Sequence, residues 1–304
     1  MRKQVAELIC TVSGCRLLLA VALLAAGIAA CTTSGRADLA GMSFASGPLA
    51  GKVVWRDLIT EDLDSARRFY GGLFDWTFED SQGPDGQEYA IALSGNVYVA
   101  GMVAIASPAD GTRYSRWLPY VSVTDVDDAV SEAVAGGASV AASARNVNIG
   151  RIAIIVDPEG AVIGLARSKF GDPDDRTTAP APGRPVWTEL LSNDTVAAAK
   201  FYRALGDYDV STVDRRGGEY TLLTNNGESR AGILKNPADN LDPVWLTYFG
   251  VDDPAAAASR AESLGGSIIL PASQELREGT MAVVSDPSGA ILVLQKWSIS
   301  GGTS

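Results

Sequence analysis

The chain carries one pattern twice, and this duplication restricts it to a fold built from two like halves. Val54-Trp55-Arg56-Asp57-Leu58 returns as Val186-Trp187-Thr188-Glu189-Leu190, a shift of 132 (187 − 55). Phe69-Tyr70 returns as Phe201-Tyr202 at the same shift. Gly136-Gly137 returns as Gly265-Gly266, and Asp157-Pro158-Glu159-Gly160 as Asp286-Pro287-Ser288-Gly289, both at 129. A period that drifts by only three residues (132 − 129) across the unit marks a duplicated domain rather than chance self-similarity. The 304 residues include no histidine. The commonest metal ligand and the commonest acid/base are therefore missing from any site such a fold builds.

The start of the chain reads as a targeting segment. Arg2, Lys3 and Arg16 are basic, and residues 17–30 form an apolar run of 14, too short to cross a bilayer comfortably. The run ends in Ile28-Ala29-Ala30-Cys31, which resembles a bacterial lipobox, with cleavage before Cys31 and lipidation of its thiol. Residues 1–30 are thus expected to be a signal peptide and Cys31 a lipid anchor that holds firmly. The expected location is the bacterial cell envelope, facing the periplasm. It is the inner leaflet of the outer membrane where the host has one, since Thr32 replaces the aspartate associated with inner-membrane retention. Cys10 and Cys15 leave with the signal, so no thiol nucleophile or cysteine metal site is expected.

From Cys31 onward, 22 basic residues (25 − 3) face 35 acidic ones (36 − 1), a net charge of −13. Nucleic acid is not an expected partner, because it requires a basic face. Residues 31–51, rich in Ser, Gly, Ala and Thr, read as a flexible tether, and 170–185 as a Pro-rich linker. Domains are expected over 52–169 and 186–298, with a tail at 299–304. A chain with both halves present can be a monomer or a homodimer.

Element signals alternate in each half. Residues 52–58 read as a strand. Ala66, Phe69, Tyr70 and Leu73 form the apolar stripe of a helix over 63–73, with Asp64 as its cap. Strands are expected over 88–93, 97–104 and 118–123, and a second helix over 126–135 ending at Gly136-Gly137. A hairpin turns on Asp157-Pro158-Glu159-Gly160. Each half has room for one further strand per helix, giving an α+β fold.

This ordered set resembles the vicinal oxygen chelate superfamily, which includes glyoxalase I, bleomycin-resistance proteins and extradiol dioxygenases. The matching residues are Asp64, Phe69-Tyr70, Leu73-Phe74 and Trp76, then Val123, Asp125-Val126-Asp127 and Ala129, then Gly136-Gly137 and Asp157-Pro158 with Gly160. The second half repeats them with Phe201-Tyr202, Leu205-Gly206, Val251-Asp252-Asp253, Gly265-Gly266 and Asp286-Pro287 with Gly289. The resemblance implies tandem βαβββ modules, four in all, forming two glyoxalase-like eight-stranded cups. It also implies where a metal would be held. The ligand positions fall on Trp55, near Gly101, near Trp117 or Leu118, and on Gly164. In the second half they fall on Trp187, near Gly232, near Trp245 or Leu246, and on Val293. None of these side chains is a metal ligand, so neither a metal nor a cofactor is expected.

Trp55, Trp117, Trp187 and Trp245 recur at repeat-equivalent positions and are either core or cup lining. Asp57 and Glu189 follow Trp55 and Trp187 by two residues and share their strand face. Each is a candidate ligand anchor or general base, or a structural acid paired with an arginine or backbone N–H. Gln295 follows Val293 in the same way and is expected to face the second cup. Tyr98, Tyr120, Tyr220 and Tyr248 lie on strands with their orientation open. The expected ligand-binding set is Trp55, Asp57, Trp117, Trp187, Glu189, Trp245 and Gln295. The expected partner is a small hydrophobic or aromatic molecule bound or sequestered without catalysis. Two alternatives stand beside it: a glyoxalase- or dioxygenase-like or metal-free lyase or isomerase using Asp57 or Glu189, and a structural envelope module.

Overall fold

The computed structural model describes residues 44–83, 86–107, 113–175, 182–215, 218–237 and 241–297. The signal segment, Cys31 and the tail lie outside the described residues. The first half builds β1 (Val53–Thr60), α1 (Leu63–Phe74), β2 (Thr77–Gln82), β3 (Glu88–Ser94) and β4 (Val97–Ala104). It continues with β5 (Arg116–Ser122), α2 (Val126–Ala135), β6 (Ser139–Val147), β7 (Gly150–Val156) and β8 (Val162–Ser168). The second half repeats this order with β9 (Pro185–Ser192), α3 (Thr195–Gly206), β10 (Asp209–Arg215), β11 (Gly218–Asn225) and β12 (Glu228–Lys235). There follow β13 (Val244–Val251), α4 (Pro254–Ser263), β14 (Ser267–Leu270), β15 (Met281–Ser285) and β16 (Ile291–Lys296).

Each half is one mixed eight-stranded sheet, in the orders β2-β3-β4-β1-β5-β8-β7-β6 and β10-β11-β12-β9-β13-β16-β15-β14. The α+β class and the tandem modules are therefore as expected. The strands for which the sequence left room are β2, β6, β10 and β14.

The helix starts show how local chemistry sets the boundaries. Asp62, not Asp64, caps α1, its Oδ1 accepting from the Ser65 N–H at 2.8 Å. Asp194 does the same for α3 through the Ala197 N–H at 3.0 Å. Both acids satisfy a backbone donor that the helix leaves unpaired. Asp64 sits inside the first turn, where it favours the helix through charge alone.

The two faces of each sheet bury different residues. One face of the first sheet gathers Trp55, Ile59, Tyr89, Ile91, Leu118, Tyr120 and Ile154. The matching face of the second gathers Trp187, Leu191, Leu246, Tyr248, Met281 and Val293. These are the cup faces. The opposite faces carry the helices and meet each other, and α1 lies against α4 while α2 lies against α3. One shared core joins Leu58, Tyr70, Trp76 and Trp117 to Phe249, Ala261, Val284 and Leu292. The other joins Ile155, Ile163 and Leu165 to Leu190, Tyr202, Leu223 and Trp245.

The repeated motifs close these seams reciprocally. Trp117 Nε1 donates to the Tyr70 hydroxyl at 3.0 Å, and that hydroxyl donates to Asp286 Oδ2 at 3.2 Å. In the other seam, Trp245 Nε1 donates to the Tyr202 hydroxyl at 3.0 Å, which donates to Asp157 Oδ2 at 2.8 Å. The Phe-Tyr helix motif of each half is thus bonded to the Asp-Pro turn of the other.

Parts of the expected tether and of the expected linker pack onto the domains where they are described. Phe44 bridges Pro173, and the fully buried Asp172 accepts from the Leu49 N–H at 2.6 Å and the Ser122 hydroxyl at 2.5 Å. Residues 44–51 are therefore docked rather than flexible. The stretch 170–185 contributes Asp172 to the interior, and Gly183 accepts from Trp76 Nε1 at 2.7 Å.

Candidate functional site

The first cup converges on Asp57. Strand alternation places Trp55 and Asp57 on one face of β1 and Leu58 on the other. Trp55 Nε1 donates to Asp57 Oδ1 at 2.8 Å, and the Tyr89 hydroxyl donates to the same oxygen at 2.7 Å. The Tyr120 hydroxyl also favours the charged form of this carboxyl. Asp57 is 2% exposed, while Trp55 is half-buried. Burial pushes the Asp57 carboxyl from its ordinary 3.8 up to about 6, against Tyr89, Trp55 and Tyr120, which favour its charge. Tyr89 and Tyr120 are themselves raised well above 10, first by burial and then by the Asp57 charge, so both remain neutral donors.

The second cup converges on Glu189, which is 1% exposed. The Tyr220 hydroxyl donates to Oε1 at 3.0 Å, the Tyr248 hydroxyl donates to Oε2, and Trp187 Nε1 donates to the Tyr220 hydroxyl at 3.0 Å. A further group is present here. Arg277 Nη2 lies 3.1 Å from Oε2 and 3.3 Å from Oε1, and its guanidinium stands 5.7 Å above the Tyr248 ring. Burial is the largest single influence and lowers the Arg277 pKa, but the charge and hydrogen bond of Glu189, together with Tyr248 and Tyr220, outweigh it in sum and hold the pKa above the usual value. Arg277 and Glu278 both adopt left-handed backbone, at φ 46° and 57°, beside Gly279 at 75°. Two consecutive non-glycine residues in that region are strained, and the strain serves to aim Arg277 inward.

The expected tryptophans divide. Trp55 and Trp187 lie in the cups and bond the acid network. Trp117 and Trp245 do not: they point to the opposite face and sit in the seams between the halves. The register gives the reason. Trp117 pairs with outward-facing Leu58 while Leu118 pairs with Asp57, and Trp245 pairs with Leu190 while Leu246 pairs with Glu189. Gln295 lies two residues beyond cup-facing Val293, but its Nε2 donates to the Thr280 carbonyl at 3.0 Å and the Lys296 carbonyl at 3.3 Å. It ties down the end of the Arg277 loop rather than reaching Glu189.

The sequence reading missed Tyr89 and Arg277. Tyr89 could have been found from the repeat, since Tyr220 follows it by 131 (220 − 89) and Tyr120 returns as Tyr248 at 128 (248 − 120). Gly101 and Gly232, at the vaguest expected metal position, are the complement of these tyrosines. A Cβ on Gly101 would fall 1.7 Å from the Tyr89 hydroxyl, and one on Gly232 would fall 1.9 Å from that of Tyr220. Arg277 carries no such signal, because its repeat-equivalent is Asn148 (277 − 129).

This donor set does not fit a divalent ion. Each cup offers one carboxylate already bonded by neutral phenols, where three or four nitrogen or oxygen ligands are required. Among the described residues, no three His, Cys, Asp or Glu side chains form a metal-ligating group. A surface cleft of about 510 Å³ lies elsewhere, between α2 and α3, and is lined by Ala133, Asp157, Phe201 and Leu205 among others.

Two eight-stranded mixed sheets of paired βαβββ modules, each burying one acid on the face away from its helices, define the class. The chain belongs to the glyoxalase/bleomycin resistance protein/dioxygenase superfamily, whose profile matches residues 52–165 and 184–294. It is 32% identical over 247 residues to the CFP32 protein of Mycobacterium tuberculosis, provisionally named a glyoxylase, covering 80% of this chain and 93% of that one. It is 31% identical over 137 residues to the anthracycline biosynthesis protein DnrV of Streptomyces peucetius, covering 40% of this chain and 50% of that one. The Mn(II)-bound glyoxalase of Novosphingobium aromaticivorans matches the fold at TM-score 0.53 and 17% identity, covering 82% and 83% of the two chains. The 2,3-dioxygenase LapB of a Pseudomonas species matches at TM-score 0.53 and 11% identity, covering 83% and 93%.

Proposed function

We propose that the protein binds or sequesters a small hydrophobic or aromatic molecule in its cups, without a metal, while anchored to the cell envelope through a lipid on Cys31. The observation that carries the binding reading is the convergence of Trp55, Tyr89 and Tyr120 on a single buried acid. An apolar aromatic wall with a few convergent polar groups is the usual form of a small-molecule site. The anchor, the periplasmic orientation, the tether over 31–43 and the absence of a nucleic-acid partner rest on the sequence signals alone. A thermal-shift screen of metabolites and antibiotics, with divalent ions in parallel, tests the binding. A ligand whose affinity survives Trp55→Ala and Trp187→Ala removes the cups as its site. Stoichiometric Zn, Ni, Fe or Mn in the purified protein removes the metal-free reading. Labelled palmitate incorporation that persists in Cys31→Ala removes the anchor.

A second reading is favoured by one observation. Asp57, raised to about 6, is poised to exchange a proton near neutral pH. Under that reading the first cup is a metal-free lyase or isomerase site with Asp57 as base. Deuterium exchange into a bound carbon acid, lost in Asp57→Asn, is its expected signature.

A further inference from the structure

The two helix pairs that join the halves are built alike and closed differently. Leu264 and Gly136 hold the same place. Each caps the C-terminal end of its helix, α4 or α2, and each precedes a glycine in the left-handed region, at φ 90° and 97°. Gly72 of α1 and Ala204 of α3 correspond at a shift of 132 (204 − 72). Between α1 and α4 the Leu264 side chain lies over Gly72, where a Cβ would come within 2.6 Å of its Cδ2. Phe69 of α1 is fully buried. Between α2 and α3 the cap carries no side chain to take that place, and the cleft of about 510 Å³ stands there. A Cβ on Gly136 would fall 3.1 Å from the Phe201 ring, so the cap points over a phenylalanine that is only half-buried.

The charges differ as well. Arg260, four residues before Leu264 (264 − 4), reaches Asp75 at 3.4 Å and complements the negative end of α4. Glu132, four residues before Gly136 (136 − 4), adds a negative charge to the end of α2, whose last turn holds no basic residue. Lys200 of α3 borders the same cleft. Among the described residues neither Glu132 nor Lys200 is in an ion pair.

We propose that the cleft between α2 and α3 binds a free α-amino acid with a branched aliphatic side chain, at a site separate from the cups and independent of what they hold. The alkyl group takes the place that the isobutyl group of Leu264 fills in the other seam, over Phe201 and Ala204. The ammonium faces Glu132 and the carbonyl end of α2, which draw a cation. The carboxylate faces Lys200 on the opposite wall. A zwitterion matches both walls, whereas an alkylamine or an alkyl acid leaves one of the two charges unmatched. A residue inside a peptide has lost both charges, which singles out the free amino acid. An apolar concavity with a few polar groups at its margin is the usual form of such a site.

The test uses the full-length chain and four probes in calorimetry: leucine, isoamylamine without the carboxylate, isocaproate without the amine, and glycine without the side chain. The expected result is one leucine site, with each of the other probes weaker by about tenfold or more. Gly136→Leu, at a backbone φ of −79° that accepts a side chain, rebuilds the wedge of the other seam and is expected to abolish leucine binding. Glu132→Gln is expected to bring leucine down to the level of isocaproate, and Lys200→Met to the level of isoamylamine. Both positions are exposed, so these two reversals do not depend on how well Gly136→Leu folds. Isoamylamine or isocaproate binding as tightly as leucine overturns the zwitterion, and glycine doing so overturns the side-chain class. Leucine binding that is unchanged in Gly136→Leu, or lost in Trp55→Ala or Trp187→Ala, overturns the location while leaving the cups as a site. Absence of leucine binding to the parent chain overturns the proposal outright.

Discussion

The two cups descend from one pattern and solve the same electrostatic problem differently. Both bury a carboxylate beneath a tryptophan and two tyrosines. In the second, Arg277 supplies a counter-charge at 3.1 Å, at the cost of two left-handed residues in its loop. In the first, burial outweighs the hydrogen bonds to the acid and appears as a raised pKa. Equal architecture therefore does not mean equal readiness. The second cup is internally neutralised, whereas the first keeps a carboxylate whose charge is only weakly supported.

The largest expected effect is on the neutralised cup. Arg277→Ala strands a buried Glu189 and is expected to cost about 3 kcal/mol, read from denaturant unfolding. Asp57→Asn keeps an oxygen that can accept from Trp55 and Tyr89 and removes a buried charge, and is expected to be neutral or stabilising at neutral pH. If the two variants cost the same, the contrast between the cups is wrong.

The pH dependence sharpens the same contrast. Asp57 and Asp286 both rise from 3.8 to about 6 on folding, each through burial first. A raised carboxyl favours the protonated folded state, so its contribution is complete below pH 4 and is lost as pH rises through about 6. Each group accounts for at most about 3 kcal/mol over that window. Asp57→Asn should flatten its share of the slope, as read from melts across this range. A stability that rises between pH 4 and 6 would contradict both shifts.

Gly101→Ala is expected to cost about 2 kcal/mol, because the new methyl collides with the Tyr89 hydroxyl and the Asp57 carboxylate. The smallest effects belong to the seams. Tyr70→Phe and Tyr202→Phe each remove one cross-half hydrogen bond and are expected to cost about 1 kcal/mol apiece. Tyr70→Phe should also raise the Asp286 pKa further, measurable by NMR titration, since the hydroxyl bond favours the ionised acid.

Much of this protein was legible in its sequence, and the parts that were not share a cause. The duplication, the helices and most strands follow from period and capping residues. Trp55 with Asp57, and Trp187 with Glu189, share a face because a strand repeats every two residues. The cup set failed at Trp117 and Trp245, where the alternatives Leu118 and Leu246 were the inward ones. A one-residue choice of register flips a side chain to the opposite face, and nothing local to those strands decides it. Gln295 was read onto the cup face, yet a neighbouring carbonyl had claimed its amide.

The chain by itself determined that there would be two like halves, what each strand could bury, and that each cup would hold one acid and no histidine. These properties are local or periodic, so the residues carry them wherever the chain goes. Tertiary structure alone decided that Arg277 would turn inward onto Glu189 and that Tyr89 would meet Asp57. It also decided that Tyr70 would meet Asp286 across 216 residues and Tyr202 would meet Asp157 across 45. Those outcomes depend on the register of strands and the docking of one half on the other, where distances in space bear no relation to distances along the chain.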